Sequence, residues 1–308
     1  MKRPSRSKTR AATRSTELGA DSPYRVGFNG RFRISQAISA PPDDAPDKRT
    51  RKQRLAKQVE ALGLLQHVLH ANDHRALLLV FQGMDAAGKD STVRSVLAGV
   101  DPAGCTVHSF KRPSLEELDH DFLWRTTVRL PARGQIVVFN RSYYEEVLAV
   151  RVHPELLKGQ HLPDDIPLAQ LWRERFESIR AHEQHLARSG TVILKFWLNV
   201  SRETQRQRFL DRLKEPEKNW KFETADIAER ARWQEYMKAY EDALNQTSRP
   251  WAPWYAIPAD SKSYMRMTVA NIVVDTLRNM QLHYPQISED QVAEFKSLRK
   301  RLEEQKED

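Results

Sequence analysis

Lys89 and its neighbours carry the clearest chemistry in the chain. The run Gly83-Met84-Asp85-Ala86-Ala87-Gly88-Lys89-Asp90 follows an apolar stretch, Leu77–Phe81, and precedes Val93, Val96 and Leu97 at helical spacing. A strand, a Gly-x-x-x-x-Gly-Lys loop and a helix, in that order, form a phosphate-binding P-loop. Gly83 and Gly88 let the backbone approach an anion with its N–H groups turned inward. The segment from Gly83 through Ala86, Ala87 and Gly88 to Lys89 and Asp90 is thus read as a phosphate cradle. The dipole of the following helix and the Lys89 cation favour the same anion. A plain glycine turn would explain neither the lysine nor the context.

One position departs from the usual pattern. A hydroxyl residue ordinarily follows the loop lysine and holds Mg²⁺; here Asp90 stands there. Either Ser91 and Thr92 take over with shifted geometry, or the metal finds other ligands. Asp85 is the obvious one, because Mg²⁺ prefers carboxylate, phosphate and water oxygens. A loop aspartate beside bound phosphates would repel them unless a cation lay between.

The second centre is Phe139-Asn140-Arg141-Ser142-Tyr143-Tyr144-Glu145-Glu146, which follows the apolar stretch Gln135–Phe139. In P-loop enzymes such a strand ends on a metal-binding Asp. Asn140 in its place brings no charge but can accept a water of the Mg²⁺ shell. Arg141 next to it offers a fork of donors suited to phosphoryl oxygens. Glu145 and Glu146 begin a helical turn, where acids also complement a dipole. A third charged stretch, Ser201–Tyr240, includes Arg202, Arg206, Arg208, Arg212, Lys214, Lys218 and Lys221. In P-loop kinases such a segment is often a lid that supplies arginines to the transferring group. A solvated helix face is the plainer reading of any one of these cations.

These residues need elements to position them. Apolar strand candidates fall at Leu77–Phe81, Thr106–Phe110, Gln135–Phe139, Thr191–Leu198 and Trp254–Ile257, separated by helical stretches. Short apolar strands alternating with helices predict an α/β fold, with a five-stranded parallel sheet covered on both faces. Leu55, Val59, Leu62, Leu65 and Val68 predict an amphipathic helix over 48–70. Residues 1–47 are read as a basic, partly disordered tail and a Pro-rich linker, with Lys2, Arg3, Arg6, Lys8, Arg10 and Arg14 in the first fourteen residues. Residues 1–20 lack the periodicity to join a core. The catalytic domain is assigned to 48–285, with the lid at about 201–240 and a C-terminal helix over 286–308.

The 308 residues carry a net charge of +9 and one cysteine, Cys105. A single cysteine permits no intramolecular disulfide and suits the cytoplasm. No stretch approaches the ~20 apolar residues of a membrane span. The excess charge suits nucleic acid, a membrane surface or a polyanionic substrate, and no nucleic-acid motif favours the first. His108, His120, His153 and His161 show no metal-ligand spacing and are read as structural.

The two centres, together with Ser109-Phe110-Lys111, Leu118-Asp119-His120-Asp121-Phe122-Leu123-Trp124-Arg125, Pro216-Glu217-Lys218-Asn219-Trp220-Lys221-Phe222 and Ala252-Pro253-Trp254-Tyr255-Ala256-Ile257-Pro258-Ala259-Asp260, resemble polyphosphate kinase 2 over about residues 48–285. The resemblance implies a P-loop kinase fold with a helical lid, Mg²⁺, and phosphoryl transfer between inorganic polyphosphate and adenine or guanine nucleotides. Asn-Arg-Ser followed by an acid at Glu145 is similar to class III members, which phosphorylate monophosphates as well as diphosphates. Lys89, Arg141, Asp85 and Glu145 are then the catalytic candidates, and Lys111, Arg208 and Arg212 would guide polyphosphate. Asn140, Tyr144 and Glu145 would meet the nucleotide. Asp85, Asn140 through a water, and Glu145 would meet the metal. Family members are commonly homo-oligomers. The rival readings are an ATP-dependent nucleotide kinase and a non-enzymatic polyanion-binding protein.

Overall fold

The computed structural model describes residues 18–162, 166–219 and 225–305. Five strands, β1 (Ala76–Gln82), β2 (Cys105–Ser109), β3 (Ile136–Asn140), β4 (Thr191–Asn199) and β5 (Trp254–Pro258), form one parallel sheet in the order β2-β3-β1-β4-β5. The strand candidates read from the sequence match within two residues at each end. All seven residues of β1 and all five of β3 are buried, as apolar runs in a doubly covered sheet must be. β2 is an edge strand and largely exposed.

The helices are α1 (Lys48–Asn72), α2 (Lys89–Val96), α3 (Leu115–Leu118), α4 (Trp124–Thr127), α5 (Ala149–Val152), α6 (Leu168–Arg188), α7 (Arg202–Lys214), α8 (Pro216–Asn219), α9 (Ala225–Ala231), α10 (Trp233–Thr247), α11 (Lys262–Asn279) and α12 (Glu289–Glu304). α11 packs on α1 and α2, while α6 packs on β4 and α10. In α1 the buried line is Leu62, Gly63, Gln66 and Leu69, whereas Leu55, Val59, Leu65 and Val68 are only half-buried. The face turns because Gly63 lies against Gly99, where a Cβ would come within 2.5 Å of the Gly99 carbonyl. Among the described residues no helix is long and apolar enough to cross a membrane.

β1 lies between β3 and β4, yet the chain leaves β1 to build β2 on the far side of β3. A crevice therefore opens beyond the carboxyl ends of β1 and β3, where open α/β sheets bind ligands. The P-loop and Asn140 both fall there, because Phe81 and Asn140 share a register position.

The N-terminal reading needs correction from residue 18 onward; residues 1–17 lie outside the described residues. Residues 18–47 are a strap, not a linker. Arg25 forms an antiparallel bridge with Tyr255. Val26 N–H donates to the Trp254 carbonyl at 2.8 Å, and Ala256 N–H to the Tyr24 carbonyl at 2.8 Å. Ala20 and Val26 are buried, and Phe32 meets Trp197 edge-on at 6.2 Å. The strap covers the otherwise open edge of β5, a frequent answer to unpaired strand edges. Its contacts are backbone bonds and single anchors, so it has no periodicity to read.

Truncating the chain through Val26 should therefore destabilise the fold by about 3 kcal/mol. That figure sums one buried Val and two backbone hydrogen bonds. Urea unfolding of the truncated and full chains measures it; equal midpoints would show that the strap contributes nothing.

Candidate active site

The cradle has the backbone its sequence demands. Gly83 adopts φ +154° and Gly88 φ +105°. A Cβ on Gly83 would lie 3.0 Å from the Leu198 carbonyl and 3.2 Å from Ala87 Cβ. Lys89 opens α2 and is buried; its Nζ donates to the carbonyls of Gly83 at 2.6 Å and Met84 at 3.3 Å. Burial, followed by the Arg141 charge, lowers the Lys89 pKa to about 8, against the opposing pull of Asp85, Glu145 and Asp90.

Arg141 holds φ +64°, an uncommon conformation for a side-chain-bearing residue. Its N–H donates to the Phe81 carbonyl at 3.0 Å, fixing it to the end of β1. The guanidinium then bridges two carboxylates, Asp85 at 2.6 Å and Glu145 at 3.4 Å. Burial acts to raise the Asp85 pKa, but Arg141, Lys89 and Arg212 outweigh it and hold the carboxyl below its usual range. Gln82 is satisfied with its amide nitrogen on Glu145 Oε1 at 2.9 Å and its oxygen on the Ser142 N–H at 3.2 Å. Lys89, Arg141, Asp85 and Glu145 thus meet at one mouth.

Asp90 and Asn140 are also joined. Asn140 Nδ2 donates to Asp90 Oδ1 at 2.5 Å and to Ser109 Oγ at 3.3 Å. Asn140 is buried, and its Oδ1 has no hydrogen-bond partner. The Ser91 hydroxyl donates to the Gly88 carbonyl at 3.0 Å, and Thr92 is fully buried. The Thr92 hydroxyl has no hydrogen-bond partner. The first turn of α2 carries the carboxylate and the strand end the neutral amide, the reverse of the usual arrangement.

Two expected site residues point elsewhere. Arg208, on α7, is buried and turned inward. It donates to the carbonyls of Ala86 and Ala87, both at 2.9 Å, to Ala259 at 2.6 Å and to Asp260 at 3.1 Å. It clamps α7 onto the cradle instead of facing a polyanion, and Gln205 assists by donating to the Asp85 carbonyl at 2.9 Å. Tyr144, expected at the nucleotide, is wholly buried with its hydroxyl on Glu183 at 2.8 Å. Arg212 fits its expected neighbourhood better: its charge acts on Asp85, and its guanidinium lies 3.9 Å from Asp226 of α9. Lys111 is exposed, two residues past the end of β2. The segment read as a lid forms α7 to α9 and half of α10, with Lys221 outside the described residues. Of the histidines, His153 links Glu155 and Glu229 of α9, each at 3.0 Å.

Sequence reasoning missed what holds the Arg141 turn. Lys195 of β4 and Glu183 of α6 form a fully buried pair at 2.6 Å. Lys195 also donates to the Tyr144 hydroxyl and the Thr247 carbonyl, both at 2.8 Å. Tyr143 and Tyr144 both donate to Glu183 Oε1, at 2.9 and 2.8 Å. Burial pushes the Lys195 pKa down while Glu183 opposes it. Two residues after Tyr144, Glu146 accepts from Arg175 at 3.0 Å and from Gln160 at 2.6 Å. Arg175 itself lies over the rings of Phe122 and Trp172. A lone lysine in an apolar strand, Lys195, was the available signal: a charge on a doubly covered strand must be paired.

Parallel strands that deliver a glycine loop, a lysine and an arginine to one crevice define a phosphotransferase of the P-loop kinase class. The family model for polyphosphate kinase 2 matches residues 45–285, and the chain belongs to that family. It is 51% identical over 249 residues to an ADP-polyphosphate phosphotransferase of Rhodopseudomonas palustris, covering 80% of this chain and 86% of that one. It is 42% identical to an AMP/ADP-polyphosphate phosphotransferase of Meiothermus ruber, covering 85% and 95%. The crystal structure of polyphosphate kinase 2 from Arthrobacter aurescens TC1 superposes with a TM-score of 0.82 at 37% identity, over 92% of this chain and 98% of that one.

Two outcomes are expected here. Glu183→Gln strips the buried Lys195 of its counter-charge and should cost about 3–5 kcal/mol in denaturant unfolding; Lys195→Met with Glu183→Leu should cost less than either single change. The second concerns Lys89. Its protonated form is the one that attracts phosphate, and the lowered pKa puts loss of that charge near pH 8. The pH profile of kcat/KM for the phosphate donor should therefore fall above about pH 8, approaching tenfold per unit. Lys89→Arg, which keeps its charge, should flatten that limb whatever its absolute rate.

Proposed function

We propose that this chain transfers the terminal phosphoryl group of inorganic polyphosphate to AMP and ADP, giving ADP and ATP, with Mg²⁺. The observation that carries the reading is the convergence of Lys89 and Arg141 with Asp85 and Glu145 at the mouth of the glycine loop. Relatives named for AMP/ADP and ADP-polyphosphate phosphotransfer support it.

The residues present fit a hard divalent cation. Asp85 stays ionised and the buried Asn140 Oδ1 lacks a partner, so a carboxylate and an amide oxygen, with Glu145 beside Arg141, would supply the oxygen donors such a cation prefers. Bound there, Mg²⁺ would offset the charge of the phosphates and orient them. The remaining work falls to the chain itself. The α2 N-terminus and the loop amides bind phosphate oxygens. Lys89 and Arg141 provide positive charge where negative charge develops in the transition state. The acceptor is a phosphate oxygen, largely ionised at neutral pH, so no general base is needed. Positioning and electrostatics account for the catalysis.

Glu145 distinguishes the acceptors. AMP is one phosphate shorter than ADP, which leaves a space between acceptor and donor that a carboxylate with a metal or its waters can bridge. Incubation with long-chain polyphosphate and ADP or AMP, without ATP, tests the reaction. Synthesis of ATP only when another nucleoside triphosphate is supplied would favour an ordinary nucleotide kinase. Glu145→Asn should lower AMP turnover at least tenfold, about 1.4 kcal/mol, while sparing ADP. An unchanged AMP-to-ADP ratio would remove Glu145 from acceptor selection.

A further inference from the structure

Three successive residues at the end of β1 each hold a different member of the site. The Phe81 carbonyl accepts from the Arg141 N–H at 3.0 Å, and the Gly83 carbonyl accepts from Lys89 Nζ at 2.6 Å. Between them Gln82 reaches Glu145, its amide nitrogen donating to Glu145 Oε1 at 2.9 Å. Gln82 is fully buried in a strand whose other residues are all apolar. A polar side chain in such a place is costly unless both of its ends are satisfied.

Neighbouring groups dictate which way the amide points. Its oxygen accepts from the Ser142 N–H and the Ser142 hydroxyl, both at 3.2 Å. That hydroxyl accepts from the Tyr144 N–H at 3.1 Å, and its single hydrogen is left for Gln82. A backbone N–H cannot become an acceptor, so the nitrogen end of Gln82 must face Glu145. Position 82 therefore needs a side chain that accepts at one edge and donates at the other. Leu would leave the Ser142 N–H unsatisfied, and Glu would set a second carboxylate against Glu145.

Glu145 gains a fixed geometry from this contact. Its Oε1 is held by Gln82 and its Oε2 by Arg141 Nη1 at 3.4 Å. Its own N–H donates to the Ser142 carbonyl at 3.0 Å, so backbone and carboxylate are tied to the same turn. The side chain stays 18% exposed, which leaves a face for a ligand. Without the Gln82 donor, only the longer Arg141 contact would hold the carboxylate, and it could swing onto that guanidinium. A charge that must act at one place loses its effect when it is free to move.

We propose, resting on the acceptor role given above to Glu145, that Gln82 is a positioning residue for acceptor selection. It holds the carboxylate that serves the shorter acceptor, AMP, in register with Arg141 and the cradle.

The ratio of kcat/KM for AMP to kcat/KM for ADP, with the same polyphosphate, tests this, because a general loss of structure lowers both values together. Gln82→Glu and Gln82→Met should each lower the ratio at least about tenfold. Added to Glu145→Asn, neither should lower it further, because both changes remove the same interaction. Urea unfolding identifies a variant that fails to fold; Gln82→Glu keeps the oxygen that Ser142 needs and serves if Gln82→Met does not. An unchanged ratio in the folded Gln82 variants, with a shifted ratio in Glu145→Asn, would overturn the proposal and leave the role of Glu145 standing. Effects that multiply in the double variants would do the same. An unchanged ratio in Glu145→Asn alone would remove that role and the proposal with it.

Discussion

The buried pair of Lys195 and Glu183 is the constraint on which the site rests. It joins β4 to α6, reaches the end of α10 through the Thr247 carbonyl, and holds Tyr143 and Tyr144 by their hydroxyls. Trp254 of β5 extends the same network by donating to Thr247 Oγ1 at 2.8 Å. Taking two charges out of water is costly, and their attraction compensates only when each remaining donor and acceptor is satisfied. Here Lys195 has three acceptors, and Glu183 accepts on both oxygens. The Asn140–Glu146 turn is thereby held from behind, and Arg141 can keep its uncommon backbone conformation.

A second clamp works from the other side. Arg208 satisfies four backbone carbonyls, two from the cradle and two from the segment after β5. An arginine fork suits this task because its donors are rigidly spaced and its charge is permanent. The cradle is therefore gripped between α7 above and the sheet below. Preorganisation of this kind matters for phosphoryl transfer, where the protein contributes little covalent chemistry and catalysis depends on fixed charges. The cations at the mouth are themselves balanced: Arg141 bridges two carboxylates, and Lys89 faces loop carbonyls.

The exchange between Asp90 and Asn140 shows how a changed motif can conserve chemical content. A usual P-loop pairs a loop hydroxyl with a strand-end carboxylate. In this chain the carboxylate sits in the first turn of α2, the amide on the strand, and a hydrogen bond of 2.5 Å links them. The amide nitrogen is committed to Asp90 and Ser109, which leaves the amide oxygen without a hydrogen-bond partner.

The sequence by itself determined the strand positions, the parallel α/β class, the phosphate cradle, and the pairing of Lys89 with Arg141 in one site. Those features are local. A run of apolar residues, a glycine loop and a helix start need no distant partner to be recognised. The register of parallel strands then brings Phe81 and Asn140 level without further information. What only the tertiary structure decided is the direction of individual polar side chains. Arg208 and Arg212 lie four residues apart on one helix; the first turns to carbonyls and the second stays near Asp85. Tyr144 neighbours the Arg141 turn in sequence yet is buried against a residue 39 positions away. The strap of residues 18–47 is held by partners more than 150 positions away, such as Asn199, which donates to the Ala37 and Ile38 carbonyls. Burial and hydrogen-bond satisfaction belong to three-dimensional neighbourhoods, and one-dimensional periodicity does not encode where a lone donor finds its acceptor.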